Sequence, residues 1–206
     1  MTTIGILALQ GDFAEHQAML RRLGVDARQV RAPEHLRDLD GLILPGGEST
    51  TFCRLMVDFD LYAPLRSLLA RGVPTWGTCA GLIVMARRAG GLDFPTLDAL
   101  DVSVRRNAFG RQTESFEADL PVPALGDERP YHAVFIRAPI VEDVGPGVEV
   151  LARLPEDGGP AAVSVVALRQ GPHLATTFHP ELTDDDRFHR YFLEIARREA
   201  RGSSPK

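Results

Sequence analysis

Residues 73–84, VPTWGTCAGLIV, combine an apolar strand, a tight glycine turn and the start of a helix. The turn has the form G-x-C-x-G, the cysteine counterpart of the nucleophile elbow G-x-S-x-G. An elbow of this kind follows a strand and opens a helix, so that the side chain in its middle projects from the sheet. The stretch therefore predicts an α/β fold with Cys79 presented at the rim of a sheet.

Strand-like and helix-like segments alternate through the first half of the chain. Strands are expected at residues 4–9, 25–30, 41–44 and 73–76, and helices at 13–23, 33–39, 51–59, 63–71 and 80–88. Such alternation forms right-handed βαβ units and a mainly parallel sheet. Short segments rich in Val, Phe and Ala between residues 97 and 178 are expected to add strands, some of them antiparallel. A last helix is expected after Thr183, as its N-cap.

Length and composition set the broad class of the protein. The chain has 206 residues, 44% of them hydrophobic and 25% charged, with a net charge of −5. This balance argues against nucleic acid or an anionic membrane as the main partner. No apolar stretch reaches the roughly 20 residues that span a bilayer, and the N-terminus lacks the basic region of a signal peptide. Two cysteines are too few for a disulfide scaffold, so we expect a cytoplasmic protein.

The domain prediction follows from these patterns. We predict one α/β domain over residues 1–206, a three-layer sandwich whose central, mainly parallel sheet is flanked by helices. Antiparallel strands are added in the second half. The tail from about residue 202 is expected to be disordered.

The chemistry predicted for Cys79 depends on its place in the turn. Side chains at Gly77 and Gly81 would collide with neighbouring backbone, and the dipole of the following helix favours a thiolate. The N–H of Ala80 would be free to donate to an oxyanion. The alternative is a small apolar cysteine in a glycine-rich turn. Cys53 is interpreted as helix packing.

A cysteine nucleophile needs a base, and the base needs an acceptor that orients it. His179 ends the predicted strand at 174–178, and Pro180 and Glu181 follow it. A carboxylate two residues further on can bend back to one ring nitrogen while the other faces a thiol. The alternative is an ordinary loop with an acid near a helix. The other histidines are interpreted as surface or packing residues: His16, His35, His132, His173 and His189.

A second oxyanion donor is expected from the turn 45–50, PGGEST, which follows the predicted strand 41–44. Its free N–H groups, with Gly47 in the middle, would point to the same place as that of Ala80. The turn lacks the G-x-x-x-x-G-K-[ST] spacing of a phosphate cradle.

Several segments together carry a family resemblance. The motifs PGG, GTCAG and HPE occur in the order found in class I (triad) glutamine amidotransferases. The chain more closely resembles the glutaminase subunits of pyridoxal 5′-phosphate synthase, through LALQGDFAEH (7–16), PGGEST (45–50), GTCAGLI (77–83), RRNAFGRQ (105–112), FIRAP (135–139) and FHPEL (178–182). The resemblance implies the class I glutamine amidotransferase fold.

The resemblance also implies an activity, the hydrolysis of L-glutamine to glutamate and ammonia. Cys79 would form a γ-glutamyl thioester, His179 would transfer protons, and Glu181 would hold the imidazolium. The remaining implied site residues are Gly47 and Ala80 for the oxyanion, Gly47, Glu48, Ser49, Ile136 and Arg137 for the glutamine pocket, Arg106 for the substrate carboxylate, and Gln10 near the oxyanion turn and the partner surface. From the residues alone, Arg105 and Arg106 also fit solvated strand ends, and Gln10 fits a polar turn.

The resemblance further implies a partner but no metal or organic cofactor. Ammonia would pass to a separate synthase subunit that makes pyridoxal 5′-phosphate, in an assembly of up to twelve chains of each kind. Members of this family are nearly inactive until the synthase docks. Other hypotheses are a glutaminase serving another synthase, such as the imidazole glycerol phosphate enzyme, a γ-glutamyl peptide hydrolase, and a non-catalytic regulatory module.

Overall fold

The structure is a computed structural model and describes residues 2–106, 115–154 and 164–202. Its strands are β1 (Thr3–Leu7), β2 (Asp26–Val30), β3 (Gly41–Leu44), β4 (Thr75–Thr78), β5 (Ala86–Gly90), β6 (Leu100–Arg105), β7 (Ser115–Leu120), β8 (Tyr131–Ile136), β9 (Ile140–Val144), β10 (Glu149–Arg153), β11 (Val165–Gln170) and β12 (His173–Thr176). Its α-helices are α1 (Phe13–Arg22), α2 (Ser49–Asp58), α3 (Tyr62–Ala70), α4 (Ala80–Met85) and α5 (Arg187–Gly202). Short 3₁₀ helices cover Pro33–Leu36, Pro123–Leu125 and Pro180–Leu182.

The central sheet has seven strands in the order β10-β11-β12-β4-β3-β1-β2. The five strands from β12 to β2 are parallel, and β11 and β10 extend them antiparallel. In register, Leu44 lies beside Gly77, and Thr78 beside Thr176. The segments that follow β3, β4 and β12 therefore meet at one edge of the sheet, where ligand sites of parallel sheets form.

Helices cover both faces of this sheet. On one face Trp76 of β4 packs against Phe188 and Phe192 of α5, and Leu20 of α1 belongs to the same core. On the other face the core includes Leu42 and Leu44 of β3 together with side chains from α2, α3 and α4. Each fully buried side chain of this size contributes about 1.5–3 kcal/mol. The predicted fold class, helices around a mainly parallel sheet, is confirmed.

The second half departs from the sequence prediction in its connections. The helix predicted to continue to residue 88 ends at Met85, and the chain continues as β5, which pairs with β6. Strands β5, β6 and β9 form a separate three-stranded sheet, and β7 and β8 form a hairpin. Pairing with these distant strands overrides the local helical pattern, so only β10, β11 and β12 join the central sheet.

The predicted start of the last helix was wrong. Thr183 has extended backbone angles and its hydroxyl donates to the Pro180 carbonyl at 3.3 Å. Helix α5 begins at Arg187, whose N–H donates to the Asp185 carboxylate at 3.1 Å. A 3₁₀ turn, Pro180–Leu182, precedes this segment.

Some expectations fall outside the described residues, namely those for the tail at 203–206, for part of RRNAFGRQ at 107–112, and for the part of the predicted strand-rich region at 155–163. Within the described ranges, no helix is both long and apolar enough to cross a bilayer.

Candidate active site

Cys79 occupies a strained backbone position between β4 and α4. Its φ is 47° and its ψ is −102°, values that side-chain-bearing residues adopt only when the surroundings enforce them. Two hydrogen bonds hold the turn: Cys79 N–H donates to the Thr176 carbonyl at 2.9 Å, and Ile83 N–H donates to the Cys79 carbonyl at 3.3 Å. The neighbouring strand and the new helix thus keep the cysteine in the elbow conformation.

The predicted need for glycine on both sides of the cysteine is confirmed. A β-carbon at Gly77 would lie 2.6 Å from the carbonyl carbon of Gly81, and one at Gly81 would lie 2.0 Å from the carbonyl oxygen of Leu44. Both contacts are with backbone, which cannot give way. Only glycine lets α4 begin this close to β3 and β4.

His179 lies just beyond β12, with its imidazole between two carboxylates. Its Nδ1 lies 2.7 Å from Glu181 Oε1 and 3.3 Å from Asp12 Oδ2. Burial by itself would lower the pKa of the imidazole, but hydrogen bonds with Asp12, Cys79 and Glu181 outweigh it and raise the pKa to about 12. These contacts favour the protonated imidazole, and the ring lines the same cavity as the sulfur of Cys79.

Glu181 is buried behind His179 and remains ionised. Burial would raise the pKa of its carboxyl group, but the interactions with His16 and His179 outweigh this and hold the pKa far below its usual range. The second carboxylate oxygen lies 3.2 Å from His16 Nε2. A buried anion with a cationic partner is thus fixed in place for the imidazole.

A cavity of about 220 Å³ opens over the sulfur. It is smaller than the roughly 300–1,000 Å³ of typical ligand pockets, which suits a substrate the size of an amino acid. Its lining includes Asp12, Gly47, Glu48, Ser49, Cys79, Ile83, Arg106, Ile136, Arg137 and His179. Ala80, next to the cysteine, is buried, and Glu181 contacts the cavity through the imidazole of His179.

Gln10 braces the turn that was predicted to donate to the oxyanion. Its Oε1 accepts from Glu48 N–H at 3.0 Å, and its amide lies against the α-carbon of Gly47. The Nε2 of Gln10 is buried and has no hydrogen-bond partner among the described residues. The turn at Gly47 is therefore held by one side chain that still has a donor available.

Arg106 lines the cavity, whereas Arg105 does not belong to its lining. The Arg106 guanidinium donates to Glu48 Oε1 at 2.9 Å and to the Gly91 carbonyl at 2.7 Å, and its side chain is 14% exposed. Arg105 is 56% exposed and pairs with Glu142. The interpretation as a solvated strand end therefore fits Arg105 and not Arg106.

Glu48 provides an anion beside that guanidinium. Its carboxylate accepts from Thr50 N–H at 3.0 Å and Thr51 N–H at 2.7 Å, and so caps α2. Burial would raise the pKa of the carboxyl group, but the hydrogen bonds from Thr50 and Thr51 outweigh it and lower the pKa to about 2. The cavity thus presents one positive and one negative group side by side.

Arg137, which also lines the cavity, is strained as well, with a φ of 44°. Three other side-chain-bearing residues with positive φ in the described ranges are aspartates, which tolerate this conformation. The carbonyl of the preceding residue, Ile136, lies 3.8 Å from the Cys79 sulfur. Among the described residues, the two strained positions that are not aspartates, Cys79 and Arg137, therefore both lie near the sulfur of Cys79.

The sequence interpretation missed Asp12 and His16. They are four residues apart and so lie on one face at the start of α1, where Asp12 contacts His179 and His16 contacts Glu181. His16 and His189 are buried, as the packing interpretation expected, but that interpretation did not foresee a contact with the predicted triad. The available signal was the segment 7–16, which contains both residues and contributed to the family resemblance.

Three potential metal ligands come together in the same place. Donor atoms of Asp12, His179 and Glu181 lie within 4.8 Å of one another, a cluster that the sequence did not reveal. His179 Nδ1 already has a close partner in Glu181 Oε1 at 2.7 Å. This short contact explains the cluster without a metal: the carboxylates orient the imidazole.

Comparisons with known proteins agree with this geometry. Residues 6–198 match the sequence model of the SNO glutamine amidotransferase family. The chain is 58% identical over 195 residues to a protein of Roseiflexus sp. (strain RS-1) named pyridoxal 5′-phosphate synthase subunit PdxT, covering 94% of this chain and 100% of that one. It is 54% identical over 191 residues to the protein of that name from Pelotomaculum thermopropionicum, covering 93% of each chain.

Solved structures show the same fold. A crystal structure described as a glutamine amidotransferase has a TM-score of 0.84 and 50% identity, and covers 94% of this chain and 98% of that chain. A putative GMP synthase subunit from Thermoplasma acidophilum has a TM-score of 0.69 at 21% identity, covering 98% of both chains, and supports the fold alone.

Proposed function

The chain belongs to the SNO glutamine amidotransferase family, and from this premise we propose that it is the glutaminase component of a pyridoxal 5′-phosphate synthase. It hydrolyses L-glutamine to glutamate and ammonia and delivers the ammonia to the synthase subunit. The observation that carries the proposal is the position of His179, whose imidazole contacts Glu181 at 2.7 Å and lines the same cavity as Cys79. We further propose that residues 1–206 act as one amidotransferase domain and that the reaction is cytoplasmic.

The first half of the reaction makes a thioester. The sulfur of Cys79, with its proton on His179, attacks the carboxamide carbon of glutamine. When the tetrahedral intermediate collapses, the C–N bond breaks and the imidazolium gives its proton to the departing nitrogen, which leaves as ammonia. Glu181 stabilises the imidazolium before this transfer and orients the ring throughout.

The second half releases glutamate. The neutral imidazole of His179 takes a proton from water, and the resulting hydroxide attacks the thioester carbon. The C–S bond breaks, the product acid leaves, and the thiolate–imidazolium pair of Cys79 and His179 is restored. No redox step or external cofactor is required for this balance.

The charge pair in the cavity suits both ends of the amino acid backbone of glutamine. The guanidinium of Arg106 can bind the α-carboxylate, because among the described residues Glu48 and Gly91 use only two of its five N–H donors. The carboxylate of Glu48 can accept from the α-ammonium group. Ser49, Ile136 and Arg137 would enclose the side chain of the substrate.

We assign the oxyanion hole to the N–H groups of Ala80 and Gly47. Loss of one such donor costs about 3–4 kcal/mol of barrier lowering, so an incompletely formed hole would leave the protein nearly inactive. Gln10 braces the turn at Gly47 through Glu48. A synthase that contacts Gln10 on docking could therefore adjust this turn, which would couple hydrolysis to the presence of an acceptor for ammonia.

The test is a glutaminase assay of the purified chain with and without the synthase subunit from the same organism. We expect little turnover by the chain alone and strong activation by the synthase, in an assembly of up to twelve chains of each kind. Full turnover without any partner would contradict the activation. Preference for γ-glutamyl peptides over glutamine would instead favour a hydrolase that releases no ammonia to a partner.

A further inference from the structure

Two buried histidines lie behind Glu181, on the side away from His179. His16 of α1 and His189 of α5 are both fully buried. The Nε2 of His16 lies 3.2 Å from Glu181 Oε2, and its Nδ1 lies 3.0 Å from the Nε2 of His189. The two histidines thus extend the row formed by Cys79, His179 and Glu181 into the core of the protein.

We propose that His16 is a positioning residue for the glutaminase reaction, which holds the Glu181 carboxylate against His179 by keeping the hydrogen on its Nε2 beside Oε2, 3.2 Å away. His189 fixes the hydrogen on that nitrogen by occupying the Nδ1 of His16. The inference rests on the proposed function, because it assigns a role within the same reaction.

The arrangement of hydrogens follows from what each nitrogen can reach. The Nδ1 of His189 is buried and has no hydrogen-bond partner among the described residues. A buried N–H without a hydrogen-bond partner is rarer than a buried acceptor without one. The Nδ1 of His189 is therefore the unprotonated nitrogen, and its Nε2 carries the hydrogen. His16 Nδ1 then accepts, and its Nε2 must donate.

The pKa of His189 agrees with this assignment. Burial lowers the pKa of His189 well below its usual value. His189 is therefore neutral at physiological pH and has one hydrogen to give.

The hydrogen on His16 Nε2 has two acceptors within reach. Glu181 Oε2 lies 3.2 Å away and the hydroxyl of Thr78 lies 3.3 Å away. The approach to Glu181 has the distance of an ion pair without forming a hydrogen bond, and Oε2 has no hydrogen-bond partner among the described residues. Without His16, this carboxylate oxygen would be buried with no group to compensate its negative charge, which is costly.

Holding both oxygens fixes the plane of the carboxylate. With Oε1 on His179 and Oε2 on His16, Glu181 cannot rotate without losing one contact. The two supporting rings are held in turn by Trp76, whose ring centroid lies 5.6 Å from that of His16 and 4.9 Å from that of His189. Such outer contacts set how well a catalytic group is aligned.

The experiment compares substitutions that differ in what they offer to Glu181. His16→Leu removes the donor. His16→Gln places an amide N–H near the position of Nε2, whereas His16→Asn is one methylene shorter and reaches toward His189 instead. His173→Leu is the matched control, because His173 is also buried but lies in a separate pocket with Leu69 and Leu97.

In the complex with the synthase, we expect His16→Leu to lower kcat by about 10- to 100-fold, the usual effect of removing a group that orients a histidine through a carboxylate. KM for glutamine should stay unchanged, since His16 does not line the cavity. His16→Gln should recover most of kcat and His16→Asn should not. His173→Leu should leave kcat unchanged even if it lowers Tm.

A second readout requires neither glutamine nor a partner. The rate at which iodoacetamide alkylates Cys79 at neutral pH reports how well the imidazolium supports the thiolate. This rate should fall in His16→Leu and recover in His16→Gln, with folding checked by Tm. If His16→Leu does not fold, the Gln and Asn variants decide, because a purely structural role predicts no ordering between them in kcat or in alkylation.

The inference is overturned if the wild type hydrolyses glutamine and the His16 variants match it in kcat and alkylation, or if Gln and Asn behave alike. If the wild type does not hydrolyse glutamine even with the synthase, the proposed function fails instead. The alkylation rates still test His16 in that case.

Discussion

Gly46 lies directly against the imidazole of His179. A β-carbon at this glycine would lie 2.4 Å from Cε1 and 2.8 Å from Nδ1 of the ring, and 2.9 Å from Asp12 Oδ2. The turn after β3 therefore does more than present N–H groups to the cavity. It forms one wall of the space in which the ring is held.

Gly46→Ala should lower kcat/KM by about 100-fold, because a displacement of the ring by about 1 Å costs that much in a positioned reaction. The measurement is glutaminase activity in the presence of the synthase, with Tm to verify folding. Gly202→Ala is the control, because a β-carbon there meets no atom within 4 Å. Activity equal to that of the wild type would show that the ring can shift without consequence.

The glycines of the elbow could be predicted from the sequence, but Gly46 could not be assigned its contact. Gly77 and Gly81 flank Cys79 within one turn, so their requirement is local. The requirement at Gly46 comes from His179, which is distant in the chain and adjacent only because β3, β4 and β12 lie side by side. The same reason hid Asp12 and His16.

The first half of the fold followed its sequence pattern because its central strands β1, β3 and β4 are buried on both faces, which leaves continuous apolar runs in the sequence. The second half did not, because its strands choose partners by tertiary contact. Strand β5, predicted as helix, pairs with β6, and neither belongs to the central sheet. The strand propensity of these residues does not indicate which of the two sheets a strand will join.

The two cysteines should differ sharply toward a glutamine-mimicking electrophile. Cys79 lines the cavity and should be labelled, whereas Cys53 is buried in the core and burial raises the pKa of its thiol to about 11. Cys79→Ala should abolish both labelling and glutaminase activity. Cys53→Ala should retain both, as the matched control. Labelling of Cys53 in the folded wild type, read by peptide mass spectrometry, would contradict this assignment.

His179 should remain protonated far above the pH at which an ordinary histidine loses its proton. Its pKa is raised from 6.5 to about 12, so its stabilising interactions are fully present below pH 6.5 and are lost as the pH rises through the higher value. Asp12→Asn and Glu181→Gln each replace a carboxylate beside the ring with a neutral amide and should lower the midpoint. NMR titration of the ring nitrogens measures it.

The exposed His132, paired with Asp119 and Glu117, provides an internal reference in the same spectra. Its midpoint should not respond to Asp12→Asn. A wild-type midpoint for His179 at or below 6.5 would remove the thiolate–imidazolium pair from the mechanism, and with it the role proposed for Asp12.

The adjacent arginines 105 and 106 offer a matched pair for testing substrate recognition. Arg106→Gln removes the guanidinium that lines the cavity and pairs with Glu48, so KM for glutamine should rise about tenfold or more, the scale of one charged hydrogen bond of about 1.5–3 kcal/mol. The effect on kcat should be smaller, because the α-carboxylate does not change charge during the reaction.

Arg105→Gln removes only an exposed pair with Glu142, which contributes little, and should leave both constants near those of the wild type. Steady-state kinetics with the synthase present measure both variants. Equal KM changes in the two would show that general loss of positive charge, and not a contact in the cavity, weakens glutamine binding.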